Sequence, residues 1–159
     1  MTDSSQPAHA GVHFPPPILY VAGIAAGMAL DRWRPLPIAD RWLLGRTAIA
    51  VISFAVYAAL FVAAFALFRR KRTTIIPNRP ASSLVTDGPY RFTRNPMYVS
   101  LVALYVGVTM VLNSWWPLLL LPIVVLAVDR MVIAREERYL ADAFPSEYDA
   151  YRARVRRWI

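Results

Sequence analysis

The chain has 159 residues, of which 57% are hydrophobic and 18% are charged, and its net charge is +8. Soluble domains usually carry about 25% charged residues, so this deficit indicates an integral membrane protein, while the 13% aromatic content excludes a disordered chain. The absence of cysteine excludes disulfides, thiolate metal sites and a cysteine nucleophile. Because the two histidines, His9 and His13, lie in a polar amino-terminal tail, we expect no metal site.

The basic residues lie mostly beside apolar runs. Of the 18 lysines and arginines, seven fall between residues 69 and 94 and six between residues 135 and 157. Such clusters are typical of the cytoplasmic flanks of membrane spans and attract anionic lipid head groups. We therefore expect membrane lipids as partners and no nucleic acid.

Four membrane spans are predicted from the apolar runs. The first is short, the second stops at the sequence Arg69-Arg70-Lys71-Arg72, and the last two form a hairpin that turns at Asn113-Ser114. The spans cover about residues 14–30, 43–68, 97–112 and 117–133. The predicted fold is all-α: one domain over residues 1–159, an integral membrane bundle of about four transmembrane helices, with a cytoplasmic loop at 69–96 and a helical tail at 134–159.

The basic loop and tail predict the orientation, because positive charge favours the cytoplasmic side. The chain is expected to be a multi-pass protein of a bacterial inner membrane, with the 69–96 loop and the tail after residue 134 on the cytoplasmic side. All five tryptophans lie at predicted span ends, where indole rings prefer the interface. Gly23 and Gly27 predict close helix packing in the first span, which permits a homodimer.

Residues 82–100, SSLVTDGPYRFTRNPMYVS, form the first informative segment. Asp87-Gly88-Pro89 predicts a tight turn, and Asn95-Pro96 predicts a helix start with Asn95 as the capping residue. The open helix end, together with Arg91 and Arg94, favours an anion such as a carboxylate. The aromatic residues interleaved here are suited to stacking on a planar base, and they are Tyr90, Phe92 and Tyr98. The alternative is an ordinary interfacial loop before a proline-initiated helix.

Residues 129–159 form the second segment. A spacing of seven residues predicts that Arg130 and Glu137 share one helical face, and likewise Asp129 and Glu136. A carboxylate here suits a cationic cofactor, or it orients an arginine that holds an anionic substrate; the alternative is surface ion pairing. Pro145 divides the tail into two helices, which either lie on the membrane surface or fold back over the 82–98 loop as a lid.

The two segments carry a resemblance to a known family. LVTDGPYRFTRNPMY, followed about forty residues later by REERYLADAFPSEYDAYRARVRRWI, resembles the isoprenylcysteine carboxyl methyltransferase family. More widely, it resembles the integral membrane methyltransferases that include the phospholipid methyltransferases. The resemblance implies that S-adenosylmethionine binds on the cytoplasmic side, between the loop before a late span and the tail after the last one.

The resemblance also implies roles for individual residues. Positions matching the cofactor-binding motif are Gly88, Tyr90, Arg94, Asn95, Pro96 and Tyr98, with Asn95 standing where many members have histidine. Glu136 and Glu137 match the paired glutamates of the family. We assign Glu136 to cofactor binding and Glu137 to catalysis, where it offsets the sulfonium charge or braces a substrate-holding arginine, for which we nominate Arg130.

The function implied is methyl transfer from S-adenosylmethionine to a lipophilic acceptor at the boundary of membrane and cytoplasm. Three acceptor groups stay open: a prenylated cysteine carboxylate, a phospholipid ethanolamine amine and a small thiol. Two rival functions also stay open. One is a nicotinamide-dependent reductase, because sterol reductases resemble this family in their last spans, and the other is a non-enzymatic basic membrane protein that holds anionic lipid or a partner.

Overall fold

Apolar runs bounded by proline, glycine and basic residues fold as helices in this protein. The computed structural model describes residues 15–70 and 83–159. Its α-helices are α1 (Pro17–Trp33), α2 (Leu43–Arg70), α3 (Pro96–Leu112), α4 (Trp115–Val128), α5 (Ala134–Ala143) and α6 (Pro145–Arg152). One π-helical turn, Asp129–Ile133, joins α4 to α5, and short 3-10 turns cover Asp40–Trp42 and Gly88–Arg91. The all-α fold class is thereby confirmed for the described residues.

Among the described residues, two helices are long and apolar enough to cross a membrane, against the four spans predicted. The continuous helix Asp40–Arg70 has 31 residues and the helix Trp115–Ala143 has 29, both with apolar windows, while the apolar α3 is shorter. A helix of 29 residues is about 43 Å long, which exceeds the roughly 30 Å of bilayer hydrocarbon. Its apolar part ends at Ile133, so the polar α5 extends beyond that part.

The long helices expose much of their apolar surface. Within the apolar window of the helix Asp40–Arg70, 6% of the residues are buried in the structure. Val51, Ile52 and Val62 of α2 and Ile123 of α4 are exposed. Continuous apolar surface of this kind is characteristic of a face that contacts lipid, and it supports a membrane protein.

The first span packs through its two small residues, as predicted. A Cβ atom added at Gly27 would lie 2.7 Å from Cα and N of Pro117, and one at Gly23 would lie 2.4 Å from Cγ2 of Val124. Close approach of α1 to α4 therefore depends on these glycines. The face predicted for helix packing is occupied by α4 of the same chain, and the homodimer stays a prediction.

The end of the bundle at the α3–α4 turn is held together by main-chain and side-chain hydrogen bonds. Asn113 adopts φ 55° and Ser114 caps α4, which confirms the predicted hairpin turn. The Ser114 hydroxyl donates to Asp31 Oδ1 at 2.7 Å, and the Trp115 amide donates to the Leu36 carbonyl at 2.9 Å. These bonds join the α1–α2 connection to the hairpin.

The opposite end of the bundle carries an apolar cluster. Its buried members come from α2, from the segment before α3 and from α6: Ala64, Val85, Tyr90, Tyr148 and Tyr151. The α5–α6 break falls at Phe144, just before Pro145, as predicted. Because α6 is packed onto this cluster, the chain that follows it passes beside the amino-terminal end of α3.

Candidate active site where the loop meets the tail

The predicted turn before α3 is present and packs on α2. Gly88 adopts φ 56°, a conformation that glycine takes without steric cost, and the Tyr90 amide donates to the Asp87 carbonyl at 3.1 Å. A Cβ atom at Gly88 would lie 2.7 Å from Cδ1 of Leu67. Gly88 therefore contributes by letting the loop approach α2 closely. Residues 71–82 of the predicted cytoplasmic loop lie outside the described residues.

Asn95 begins α3 but does not cap it with its side chain. Pro96 occupies the first helical position as predicted, and the Asn95 amide donates to Thr93 Oγ1 at 3.1 Å. The Asn95 side-chain Nδ2 instead donates to the main-chain carbonyl of Arg157 at 3.0 Å. The expected side-chain cap is wrong because this carbonyl, brought in by the tail, takes the amide group.

The tail folds back over the loop, which is one of the two placements that the sequence leaves open. The Arg94 amide donates to the Arg156 carbonyl at 2.9 Å, and the Thr93 hydroxyl donates to the Arg157 carbonyl at 3.1 Å. The Trp158 indole donates to Asp129 Oδ1 at 3.1 Å, so this tryptophan binds within the protein. Three successive residues before α3 are thereby tied to the end of the chain.

A cluster of two carboxylates and two guanidinium groups lies at this junction, which we call the charge cluster: Arg94, Asp129, Glu137 and Arg157. Arg94 Nη2 lies 3.0 Å from Glu137 Oε1, and their side chains are 10% and 14% exposed. Arg157 donates from Nε to Glu137 Oε2 at 3.1 Å and from Nη1 to Asp129 Oδ2 at 3.2 Å. Its Nη2 makes a further, short ion pair with Glu137. The four charges sum to zero.

The structure does not bring Arg130 into the charge cluster. Its side chain is 76% exposed, and its nearest carboxylate contact is a 4.0 Å approach to Asp129. The reason is the π-helical turn Asp129–Ile133, whose hydrogen bonds span five residues and which therefore places one extra residue in the helix. Positions eight apart, Asp129 and Glu137, consequently both bind Arg157, which departs from the register predicted from a regular helix.

Glu136 and Glu137 point to different partners. Tyr98 donates from its hydroxyl to Glu136 Oε1 at 2.8 Å. Burial raises the pKa of Glu136 to about 7; the hydrogen bond from Tyr98 opposes this shift, and the charge of Glu137 adds to it. Glu137 pairs with the two arginines and is the glutamate of the charge cluster. Glu136 is bound to Tyr98 instead.

Two of the three predicted aromatic residues are buried beside the loop. Tyr90 and Tyr98 are buried, whereas Phe92 is 80% exposed and is not brought to them. The Tyr90 ring meets Phe68 edge to face at 5.8 Å, and Tyr151 donates to the Tyr90 carbonyl at 2.7 Å. Tyr90 is thereby held by both α2 and α6.

The buried Arg94 Nε, beside Glu137, has no hydrogen-bond partner among the described residues. The buried Tyr148 hydroxyl faces the Glu137 carboxylate. Burial and the neighbouring Glu137 carboxylate raise the pKa of Tyr148 to about 12, so the hydroxyl keeps its proton at neutral pH. Buried donors without partners are costly, and a ligand that offers acceptor atoms satisfies them.

Comparison with known proteins places the chain in a family. The model of the phospholipid methyltransferase family matches residues 45–147, which is well over half of the chain. The chain belongs to the phospholipid methyltransferase family. The matched region runs from the start of α2 into α6 and contains Arg94, Asp129 and Glu137.

Two relatives are similar to part of this chain. The protein-S-isoprenylcysteine O-methyltransferase of Schizosaccharomyces pombe is 36% identical over 72 residues, which are 45% of this chain and 30% of that protein. An uncharacterized protein of Haemophilus influenzae is 38% identical over 63 residues, which are 40% of this chain and 100% of that protein. The match to the yeast enzyme thus spans under a third of its length. No solved structure matches the chain.

Proposed function

We propose that this protein transfers a methyl group from S-adenosylmethionine to a lipophilic acceptor at the boundary of membrane and cytoplasm. The observation that carries the proposal is the charge cluster, which joins Glu137 and Arg94 of the two segments matching the family. It lies where α4 loses its apolar character and α5 begins. A buried group of charges beside apolar helices suits a water-soluble donor and a lipid-soluble acceptor.

The residues present fit the donor. Its amino-acid carboxylate offers the acceptor atom that Arg94 Nε lacks. Tyr90 and Tyr98 supply aromatic surface for a purine, and Glu136 and Glu137 supply negative charge for the donor's cationic sulfur. Gly88, Asn95 and Pro96 shape the loop and tie it to the tail, so their contribution to donor binding is through position.

The chemistry supplied by the bound donor is a methyl group on a positively charged sulfur. The residues of this chain have the tasks of aligning acceptor and donor, to about 3–3.5 Å between reacting atoms, and of excluding water. Glu137, oriented by Arg94, holds negative charge next to the reacting region. The tail covers the loop through the Asn95 and Thr93 hydrogen bonds, which limits the access of water.

We place the protein in the membrane with four spans and with the charge cluster on the cytoplasmic side. The basic residues of the 69–96 loop and of the tail support this orientation. In this arrangement α1 and α3, of 17 residues each, span a locally thinner layer or rely on flanking residues. The acceptor enters between helices from the bilayer, since α2 and α4 expose apolar side chains along their length.

Two acceptor classes have support. The description of the matching family favours a phospholipid head-group amine, and the yeast relative's name favours an isoprenylcysteine carboxylate. Both acceptors carry a long apolar chain, so both require the membrane-facing access described above. They differ in the group methylated, and the mass of the product separates them.

The test is a methyl-transfer assay with purified full-length protein, labelled S-adenosylmethionine and a lipid extract, with the product identified by mass. We expect a labelled lipid, and at least about a hundredfold lower rate for Glu137→Gln, because this change removes a charge next to the reacting region. Arg130→Gln is the matched control, since it removes a charge from the same helical run at an exposed position.

Two results contradict the proposal. One is the absence of any labelled lipid together with no binding of S-adenosylhomocysteine at millimolar concentration in titration calorimetry. The other is an unchanged rate for folded Glu137→Gln protein, which overturns the assigned role of Glu137. If Arg130→Gln loses as much rate as Glu137→Gln, Arg130 belongs to the active site. The charge cluster then no longer defines the residues of that site.

A further inference from the structure

The Arg157 guanidinium occupies a position between two carboxylates that a cationic ligand also fits. Asp129 and Glu137 both contact it, and they come from one helix face that the π-helical turn creates. Arg157 is 37% exposed, whereas the other cation of the charge cluster, Arg94, is 10% exposed. Arg157 is therefore the cation at the open side of the cluster.

Charge balance decides what a cationic donor requires here. The charge cluster is neutral with both arginines in place. A third cation between Asp129 and Glu137 is therefore repelled by the two guanidinium groups, and the repulsion is stronger because these side chains are shielded from water. Displacement of the Arg157 side chain restores neutrality. The product of methyl transfer keeps the amino-acid end but has lost the positive charge on sulfur, so it gains nothing from that displacement.

The main chain at Arg157 is held independently of its side chain. Thr93 and Asn95 donate to the Arg157 carbonyl, and the Arg94 amide donates to the Arg156 carbonyl. The long and flexible arginine side chain can thus leave the two carboxylates while the tail stays bound to the loop.

We propose that Asp129 and Glu137 together bind the cationic centre of the methyl donor, and that the Arg157 side chain occupies this place until the donor arrives. This inference rests on the proposed function. It makes Asp129, which lies outside the paired glutamates, a donor-binding residue, and it makes Arg157 a determinant of the preference for charged donor over neutral product.

The first test is calorimetric titration of S-adenosylmethionine and S-adenosylhomocysteine into wild-type and variant protein. For Arg157→Gln we expect the affinity for the charged donor to rise about tenfold relative to the neutral product, because the competing cation is gone. For Asp129→Asn we expect the affinity for the charged donor to fall and that for the neutral product to stay. The matched control is Arg156→Gln, an exposed neighbour with the same charge, for which the ratio should stay at the wild-type value.

The second test uses wild-type protein and does not depend on a variant folding. Phenylglyoxal modifies accessible arginines, and mass spectrometry reports Arg156 and Arg157 separately. We expect S-adenosylmethionine to increase the modification of Arg157 and S-adenosylhomocysteine to leave it unchanged, with Arg156 as the internal reference.

The inference is overturned if Arg157 is modified to the same extent with S-adenosylmethionine as with S-adenosylhomocysteine, or if the affinity ratio is unchanged in folded Arg157→Gln. Either result leaves the proposed function standing. Failure of wild-type protein to bind either ligand overturns the proposed function itself, so the two failures are distinguishable.

Discussion

At the scale of single residues, neighbouring glutamates have acquired different environments. Glu137 is paired with two arginines in the charge cluster. Glu136 accepts from Tyr98 and is pressed into an apolar environment that raises its pKa to about 7. One carboxylate is thereby held by ion pairs, and the other changes its charge near neutral pH.

This difference predicts a pH-dependent stability that is specific to Glu136. The folded-state pKa of about 7 lies above the ordinary value of 4.5, so the folded protein keeps this proton where the unfolded chain loses it. Stability contributed by the protonated group is present below about pH 4.5 and is lost as the pH rises towards 7. The measurement is thermal unfolding in one detergent, at pH 5 and pH 8, of wild type and Glu136→Gln.

The variant resembles the protonated carboxyl and still accepts a hydrogen bond from Tyr98. We expect the Tm of Glu136→Gln to exceed that of wild type by clearly more at pH 8 than at pH 5. A difference in Tm that is the same at both pH values contradicts the raised pKa.

At the scale of helices, the apolar runs predicted the elements well. The predicted runs 43–68 and 97–112 correspond to Leu43–Arg70 and Pro96–Leu112, because hydrophobicity, basic ends and Pro96 set those limits locally. The π-helical turn Asp129–Ile133 was not predicted, since nothing in the sequence DRMVI distinguishes it from a regular helix. Its single extra residue moved Arg130 away from the charge cluster.

Helix packing predicts that two glycine-to-alanine substitutions change the free energy of unfolding in opposite directions. Gly27→Ala places a Cβ atom 2.7 Å from the main chain of Pro117, and we expect it to reduce the free energy of unfolding by about 1–3 kcal/mol. Gly45→Ala meets no atom closer than 3.7 Å within α2, and we expect a gain of about 0.5–1 kcal/mol. Thermal unfolding in the same detergent measures both changes. Equal effects of the two substitutions contradict the close packing of α1 on α4.

At the scale of the whole molecule, the bundle has two tied ends and an apolar surface between them. One end joins the α1–α2 connection to the α3–α4 hairpin through Asp31 and Ser114. The other end joins the segment before α3 to the end of the chain and holds the charge cluster. The membrane placement proposed here puts the second end in contact with cytoplasmic water and with lipid at once.

The candidate site was predictable in part from the sequence. Its two segments were found because Gly88, Pro96 and the paired glutamates have a recognisable local pattern. Asp129 and Arg157 were missed as partners because they are 28 residues apart and meet through the folding of the tail. The signal for such a partner was the position of Asp129 near the end of an apolar run, where a charged side chain needs a counter-charge.

The central claim is that a methyl donor binds between residues 88–98 and the tail. Ultraviolet cross-linking of labelled S-adenosylmethionine to the purified protein, followed by peptide mapping, tests it most directly. The account predicts label within residues 88–98 or 129–158, and loss of that label with excess S-adenosylhomocysteine. Label that resists the competitor, or that lies in residues 31–42 or 113–116 at the other end of the bundle, contradicts the account.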